Sequence, residues 1–155
     1  VGGIALGGGF NIVTVCDLII ASESAIFCHP ELKFGLSPLF YPLSQIVGVN
    51  KAKEIAMLGE PIGAREAERI GLVNKVAPPE KFMQEAEKTA QTLAMRSAKA
   101  IEELKNICAV VPRMDRIAAL DMELSIGGML FARDERKIHM NEELFLKKLR
   151  KKKQS

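Results

Sequence analysis

The chain has 155 residues, 48% of them hydrophobic and 26% charged, with a formal net charge of +3. This is ordinary globular composition, long enough for one modest domain with a real core, and Asp17 interrupts the longest apolar run well short of membrane-spanning length. The positive balance is local: residues 147–153 hold six basic groups and the remainder carries 16 basic against 19 acidic residues, which argues against a basic, nucleic-acid-binding body.

Residues 1–6 read as the end of a buried strand. Gly7, Gly8 and Gly9 follow as a tight passage in which side chains would obstruct something. Residues 10–16 are apolar with Asn11 and Thr14 at helical spacing, so a helix opens around Gly8 or Gly9. Residues 17–22 read as a buried strand with Leu18, Ile19 and Ile20 in its core, and residues 25–28 as a shorter one. "HPELKFGLSP" is a loop punctuated by Pro30, Gly35 and Pro38. From Pro42 the pattern is helical, with Leu43, Ile46 and Val47 as one apolar set that Gly48 stops. Asn50 is read as the cap of a helix over residues 51–58, which Gly59 ends. Another helix spans residues 64–70 and closes on Gly71. "LVNKVAP" is a short strand stopped by Pro78 and Pro79. Residues 80–95 form a long amphipathic helix with Phe82, Ala86, Thr89, Ala90 and Leu93 on one side. Residues 97–111 and 114–132 are two more helices, and residues 141–153 a last, basic one. The chain starts as α/β and finishes as a run of helices, which divides it into residues 1–79 and residues 80–155.

Cys16, Cys28 and Cys108 show no metal-ligand spacing and suit buried thiols in a reducing compartment. No signal-peptide pattern is visible. The expected location is the cytoplasm or a mitochondrial or peroxisomal matrix, not secretion. The basic tail reads as a solvated helix end, with contact to phosphate groups as the sharper alternative. His139 lies in a charged, surface-like stretch. The chain opens on Val1 already inside a glycine-rich motif, so a further N-terminal part is expected elsewhere.

Dinucleotide, P-loop and nucleophile-elbow patterns are absent from the glycine stretch. What remains is strand, glycines and an apolar helix, an arrangement that aims free backbone N–H groups at a ligand and can hold a developing oxyanion. A close strand–helix crossing that merely needs small residues is the structural alternative. In "AIFCHPELKFG", Glu31 follows a proline among Phe27, Cys28, Leu32 and Phe34. An apolar neighbourhood disfavours the charged form of a carboxylate, a condition that suits a general base. An exposed loop glutamate is the competing reading, and His29 beside it reads as a packed or hydrogen-bonded residue.

Taken together, "VGGIALGGGFNIVTVCDLIIASESAIFCHPELKFGLSP" and "VGVNKAKEIAMLGEPIGAREAERIGLVNKVAP" resemble the enoyl-CoA hydratase/isomerase, or crotonase, family over residues 1–79. Residues 80–155 fit the family's trailing helices only in kind. The resemblance implies an α/β fold: the C-terminal portion of a crotonase-like ββα spiral, followed by a helical trimerisation region. It implies a coenzyme A thioester as substrate, no further cofactor, no metal, and a homotrimer or hexamer. Gly8 would offer its backbone N–H to the thioester oxygen, with Ala5, Leu6 and Gly7 along the coenzyme A. His29, Pro38, Leu39 and Phe40 would line the acyl pocket. The family's other oxyanion donor and most adenine contacts lie on an N-terminal loop, so this chain alone is expected to be weakly active or inactive.

Two departures from the family pattern bear on the reaction. Its hydratases carry a glutamate just after the glycine loop and another in the "PE" loop; here these positions are Asn11 and Glu31. An amide cannot take a proton, but one base suffices to move a proton between carbons, as in the family's Δ3-Δ2 isomerases. The loop "GLSPLFYPLSQIVG" lacks the hydratases' glycine-rich character, and Pro38, Leu39, Phe40 and Tyr41 would make a drier wall. Three readings stay open: an isomerase with Glu31 as base, a hydratase, hydrolase or decarboxylase in which Asn11 positions a water or carbonyl group, and a non-catalytic acyl-CoA-binding or assembly subunit. Leu120, Leu124, Ile126, Met129 and Leu130, with Gly127 and Gly128, form an apolar set that suits either assembly or a monomer core.

Overall fold

Apolar runs broken by glycine and proline leave room only for short strands, and the described residues contain five, each of two or three residues. The structure, a computed structural model, describes residues 1–133 and 145–146. It divides into two compact units, residues 1–92 and residues 93–155.

In the first unit, β1 (Ile4–Leu6) leads through Gly7 into α1 (Gly8–Thr14), followed by β2 (Ile20–Ser22), β3 (Ile26–Cys28) and a 3₁₀ turn (Glu31–Phe34). Then come α2 (Phe40–Val47), α3 (Val49–Leu58), β4 (Ile62–Gly63), α4 (Ala64–Arg69), β5 (Lys75–Ala77) and α5 (Phe82–Ala94). β1 and β3 pair in parallel with Ala5 opposite Phe27, and β4 joins β3 antiparallel with Ile62 opposite Phe27. β2 and β5 form a separate parallel pair with Ala21 opposite Val76. Parallel neighbours need a crossover, which the segment carrying α1 supplies between β1 and β3. One buried apolar cluster links these elements through Ala5, Phe10, Phe27, Leu43, Ile55 and Ala67. Phe10, Phe27 and Leu43 are fully enclosed, and burial of each such side chain stabilises the fold by roughly 1.5–3 kcal/mol.

Several elements differ from the sequence reading. The strand expected over residues 17–22 is confined to Ile20–Ser22. Ile19 instead donates its N–H to Asn74 Oδ1 at 2.7 Å and accepts the Asn74 N–H at 2.9 Å, a side-chain bridge in place of a ladder. Leu18 is exposed rather than in the core. In β1 only Ala5 is buried, because alternate side chains point to opposite faces and Ile4 and Leu6 lie on the exposed one. Asn50 does not cap α3: Gly48 holds the cap position, its carbonyl accepting the Ala52 N–H at 3.0 Å, so Asn50 falls inside the first turn. α2 starts at Phe40, ahead of Pro42, whose missing N–H costs nothing in a first helical turn. β4 falls where the sequence reading assigns no element, since two residues display no periodicity. In α5, Phe82, Ala86 and Thr89 are half-buried, whereas Ala90 and Leu93 are exposed.

In the second unit, α6 (Ala98–Val110) is capped by Ser97, whose Oγ accepts the Ala100 N–H at 3.3 Å. A 3₁₀ turn (Val111–Arg113) leads to α7 (Arg116–Arg133), where Asp115 Oδ1 accepts the N–H groups of Ile117 and Ala118, each at 3.0 Å. The apolar set of α7 is split between faces. Ile126 is buried and, with Leu130, lines a groove of about 620 Å³ against Leu104 and Ile107, while Leu120, Leu124 and Met129 are exposed. The basic helix expected over residues 141–153 lies outside the described residues apart from 145 and 146, and His139 lies outside them as well.

Candidate active site

β1 and β3 run in parallel with Leu6 opposite Cys28, so the residues after each strand emerge at the same end of the sheet. Ligands of parallel sheets bind at that carboxyl end. From β1 comes the glycine loop. Gly7 takes φ +51°, in the left-handed region that favours glycine, and turns the chain into α1. Its N–H donates to Cys28 O at 3.0 Å, and its carbonyl accepts the Asn11 N–H at 2.9 Å. Asn11 thus makes the first intrahelical bond, and the N–H groups of Gly8, Gly9 and Phe10 precede any helical acceptor. A side chain on Gly8 or Gly9 would meet nothing within 4 Å. The packing of the described residues does not demand glycine there; close approach of a ligand to the backbone would.

From β3 comes the second part. His29 and Pro30 lead into the 3₁₀ turn, held by Lys33 N–H to Pro30 O and Leu36 N–H to Glu31 O, both at 2.9 Å. The turn brings the Glu31 carboxylate onto the glycine loop: a β-carbon on Gly7 would stand 3.3 Å from Glu31 Oε1. The Glu31 side chain keeps 14% of its surface exposed, whereas His29 is fully enclosed. His29 Nδ1 lies 3.2 Å from Glu31 Oε1 and 3.1 Å from Oε2. The imidazole also packs on the ring of Phe10 from α1, with centroids 4.5 Å apart. Next to it, the Cys28 thiol donates to Gly59 O at 3.3 Å, and burial pushes that thiol above the ordinary range. Lys33 Nζ pairs with Glu60 Oε1 at 2.8 Å on the surface.

The sequence-derived site residues fall into groups. Gly7, Gly8 and Glu31 come together at the end of the sheet. Asn11 stands in the first turn of α1, its Oδ1 buried and without a hydrogen-bond partner among the described residues. Ala5 is buried in β1 and Leu6 is exposed. Pro38 is half-buried and Leu39 exposed ahead of α2, and Phe40 packs against the core. His29 meets the site through its Nδ1 contact with Glu31. Sequence reasoning placed it in the acyl pocket and missed its contact with Phe10; the signal at hand was the His-Pro-Glu spacing, two residues across a rigid proline. Among the described residues, no group of three or more His, Cys, Asp or Glu side chains is arranged to hold a metal ion. No helix there is long and apolar enough to cross a membrane.

A glycine loop and a carboxylate at the end of a parallel sheet suit chemistry on a carbonyl compound, and comparison with known proteins agrees. The profile of the enoyl-CoA hydratase/isomerase family matches residues 1–154, and the chain belongs to that family. It is 36% identical over 140 residues to a short-chain-enoyl-CoA hydratase of Clostridioides difficile, covering 88% of this chain and 90% of that one. Among solved structures it resembles enoyl-CoA hydratase subunit I of Geobacillus kaustophilus, with 33% identity, a TM-score of 0.83 and coverage of 95% of this chain and 58% of the other. A Thermobifida fusca protein solved in complex with acetoacetyl-CoA matches at 28% identity and a TM-score of 0.80, covering 84% and 52%. The fold is therefore crotonase-like, as the glycine loop and "PE" loop implied. The chain spans 54% of the length of two further curated relatives and little more than half of those solved chains.

Proposed function

We propose that the protein shifts the double bond of an enoyl-CoA, with Glu31 as the single base. Glu31 takes the C2 proton of a 3-enoyl thioester, the Gly8 N–H holds the dienolate oxygen, and Glu31 returns the proton at C4. The C3–C4 double bond becomes C2–C3, and no electrons are gained or lost. Coenzyme A enters only as part of the substrate, and no other cofactor is called for. A positioned base contributes about 10²–10⁴-fold to such a transfer, and an oxyanion donor about 10²–10³-fold. The observation that carries the reading is the pairing at the loop: the Glu31 carboxylate lies against Gly7, and Asn11 supplies an amide in the first turn of α1 where a second base would serve hydration. The acetoacetyl-CoA bound by the Thermobifida relative supports an acyl-CoA ligand.

Hydration is the second reading, favoured by the name of the Clostridioides relative. In that case Asn11 would orient the attacking water while Glu31 activates it. An absorbance assay with a 3-enoyl-CoA and a 2-enoyl-CoA in separate cuvettes tests the choice. Conjugation gained from the first supports isomerisation; conjugation lost from the second alone refutes it in favour of hydration. We extend the proposal to assembly as a homotrimer or hexamer through the exposed residues of α7, Leu120, Leu124 and Met129. A monomer mass by light scattering would refute that part.

A further inference from the structure

We infer that His29 is a positioning residue for Glu31, donating a hydrogen bond to its carboxylate from Nδ1. The inference rests on the reading of Glu31 as the base. Three observations carry it. Both carboxylate oxygens lie within hydrogen-bond reach of Nδ1, at 3.2 and 3.1 Å. Nε2 is buried and has no partner among the described residues. The ring is fully enclosed and packs against Phe10 at a tilt of 39°.

The tautomer follows from these contacts. A proton on Nε2 would leave a buried donor unused and turn the Nδ1 lone pair toward a carboxylate. A proton on Nδ1 puts that donor to use against the carboxylate. Among the described residues His29 has no group beyond Nε2 to which to pass a proton. It holds one oxygen of Glu31 while the other is free to take the proton at C2 and release it at C4, so the carboxyl group need not swing between the two steps.

His29 also sets where Glu31 stands. Pro30 separates the two residues, and Phe10, three residues beyond Gly7, presses on the imidazole from α1. The base and the oxyanion loop are thereby tied through a single ring. A misplacement of about 1 Å in such a site costs on the order of 10²-fold in rate, so loss of the Nδ1 donor is expected to act on kcat far more than on KM.

The test has two arms. In the first, His29→Leu and His29→Asn are compared on whichever enoyl-CoA the protein turns over, with thermal melting as the control for folding. Leucine fills the space without a donor, and asparagine keeps an N–H close to the Nδ1 position. The expected result is a kcat lower by about 10–100-fold in His29→Leu with KM within about threefold, and at least partial recovery in His29→Asn. A kcat within twofold of the parent in His29→Leu, or equal losses in the two folded variants, would overturn the inference. The second arm does not depend on turnover. Nitrogen-15 NMR of the histidine rings is expected to show His29 as the Nδ1–H tautomer and to shift in Glu31→Gln. A ring protonated on Nε2 alone would overturn the inference. A protein that turns over neither enoyl substrate yet shows the Nδ1–H tautomer would count against isomerisation and uphold the His29–Glu31 pairing.

Discussion

Gly59 offers the sharpest stability test of how the "PE" loop is held. It ends α3 at φ +60°, its N–H bonded to Ile55 O at 3.0 Å. A β-carbon there would stand 3.0 Å from His29 O, 3.2 Å from Lys33 Cε and 3.4 Å from Pro30 Cα. Lysine can swing aside, but the backbone of His29 and Pro30 cannot move without shifting Glu31. Left-handed backbone costs a non-glycine residue about 1–2 kcal/mol, and overpacking adds roughly 1–3 kcal/mol. Gly59→Ala should therefore lose about 2–5 kcal/mol, a large share of the ~5–15 kcal/mol that holds a typical domain. Gly71 is the internal control: φ is +80°, yet nothing lies within 4 Å of its β-carbon position. Gly71→Ala should lose only the backbone part, about 1–2 kcal/mol. Urea unfolding followed by circular dichroism reads the difference; with a slope of about 1 kcal/mol per molar, Gly59→Ala moves the midpoint by roughly 2 M or more. Enoyl-CoA turnover should fall in Gly59→Ala and persist in Gly71→Ala. Equal stability losses in the two variants would refute the claim that α3 buttresses the loop.

Two other outcomes are expected. A small thiol reagent should label Cys16 and Cys108, which are exposed, well before Cys28, which is enclosed and whose thiolate is disfavoured by burial; mass spectrometry showing Cys28 modified at a comparable rate in the folded protein would contradict this. Lys75 Nζ pairs with Glu85 Oε2 at 2.5 Å and holds the Glu85 carboxyl below the usual carboxylate range. A folded-state value below the unfolded one means that the pair stabilises α5 against β5 above the ordinary carboxylate range and loses that contribution as pH falls through the lowered value. Carbon-13 NMR titration should find Glu85 returning toward the ordinary range in Lys75→Ala; an unchanged midpoint would remove the pair from the acid response.

How much of this was legible in the sequence depended on how local each signal is. The glycine loop, the start of α1 and the stops at Gly59 and Gly71 all follow from residues within a few positions of one another. β4 and the shortened β2 do not, because each is decided by a partner far along the chain: β3 for the former, and the Asn74 side chain bridging to Ile19 beside the latter. Asn50 was a chemically sensible cap displaced by the Gly48 backbone two residues earlier. In α7 the spacing of the apolar residues was visible, but which of them faces the groove is set by packing against α6. At the site, Glu31 and Gly8 were visible as motif positions. The coupling of Phe10, His29 and Glu31 was not, since it joins residues 19 positions apart through a ring contact.

The most direct measurement is Glu31→Gln, with turnover and acyl-CoA binding determined side by side on the same preparation. Glutamine keeps the size and loses only the capacity to take a proton. The expected result is a rate lower by about 10²–10⁴-fold with a dissociation constant within a few-fold of the parent. Turnover retained within tenfold would show that another group carries the proton, and the assignment of Glu31 as the base would be wrong.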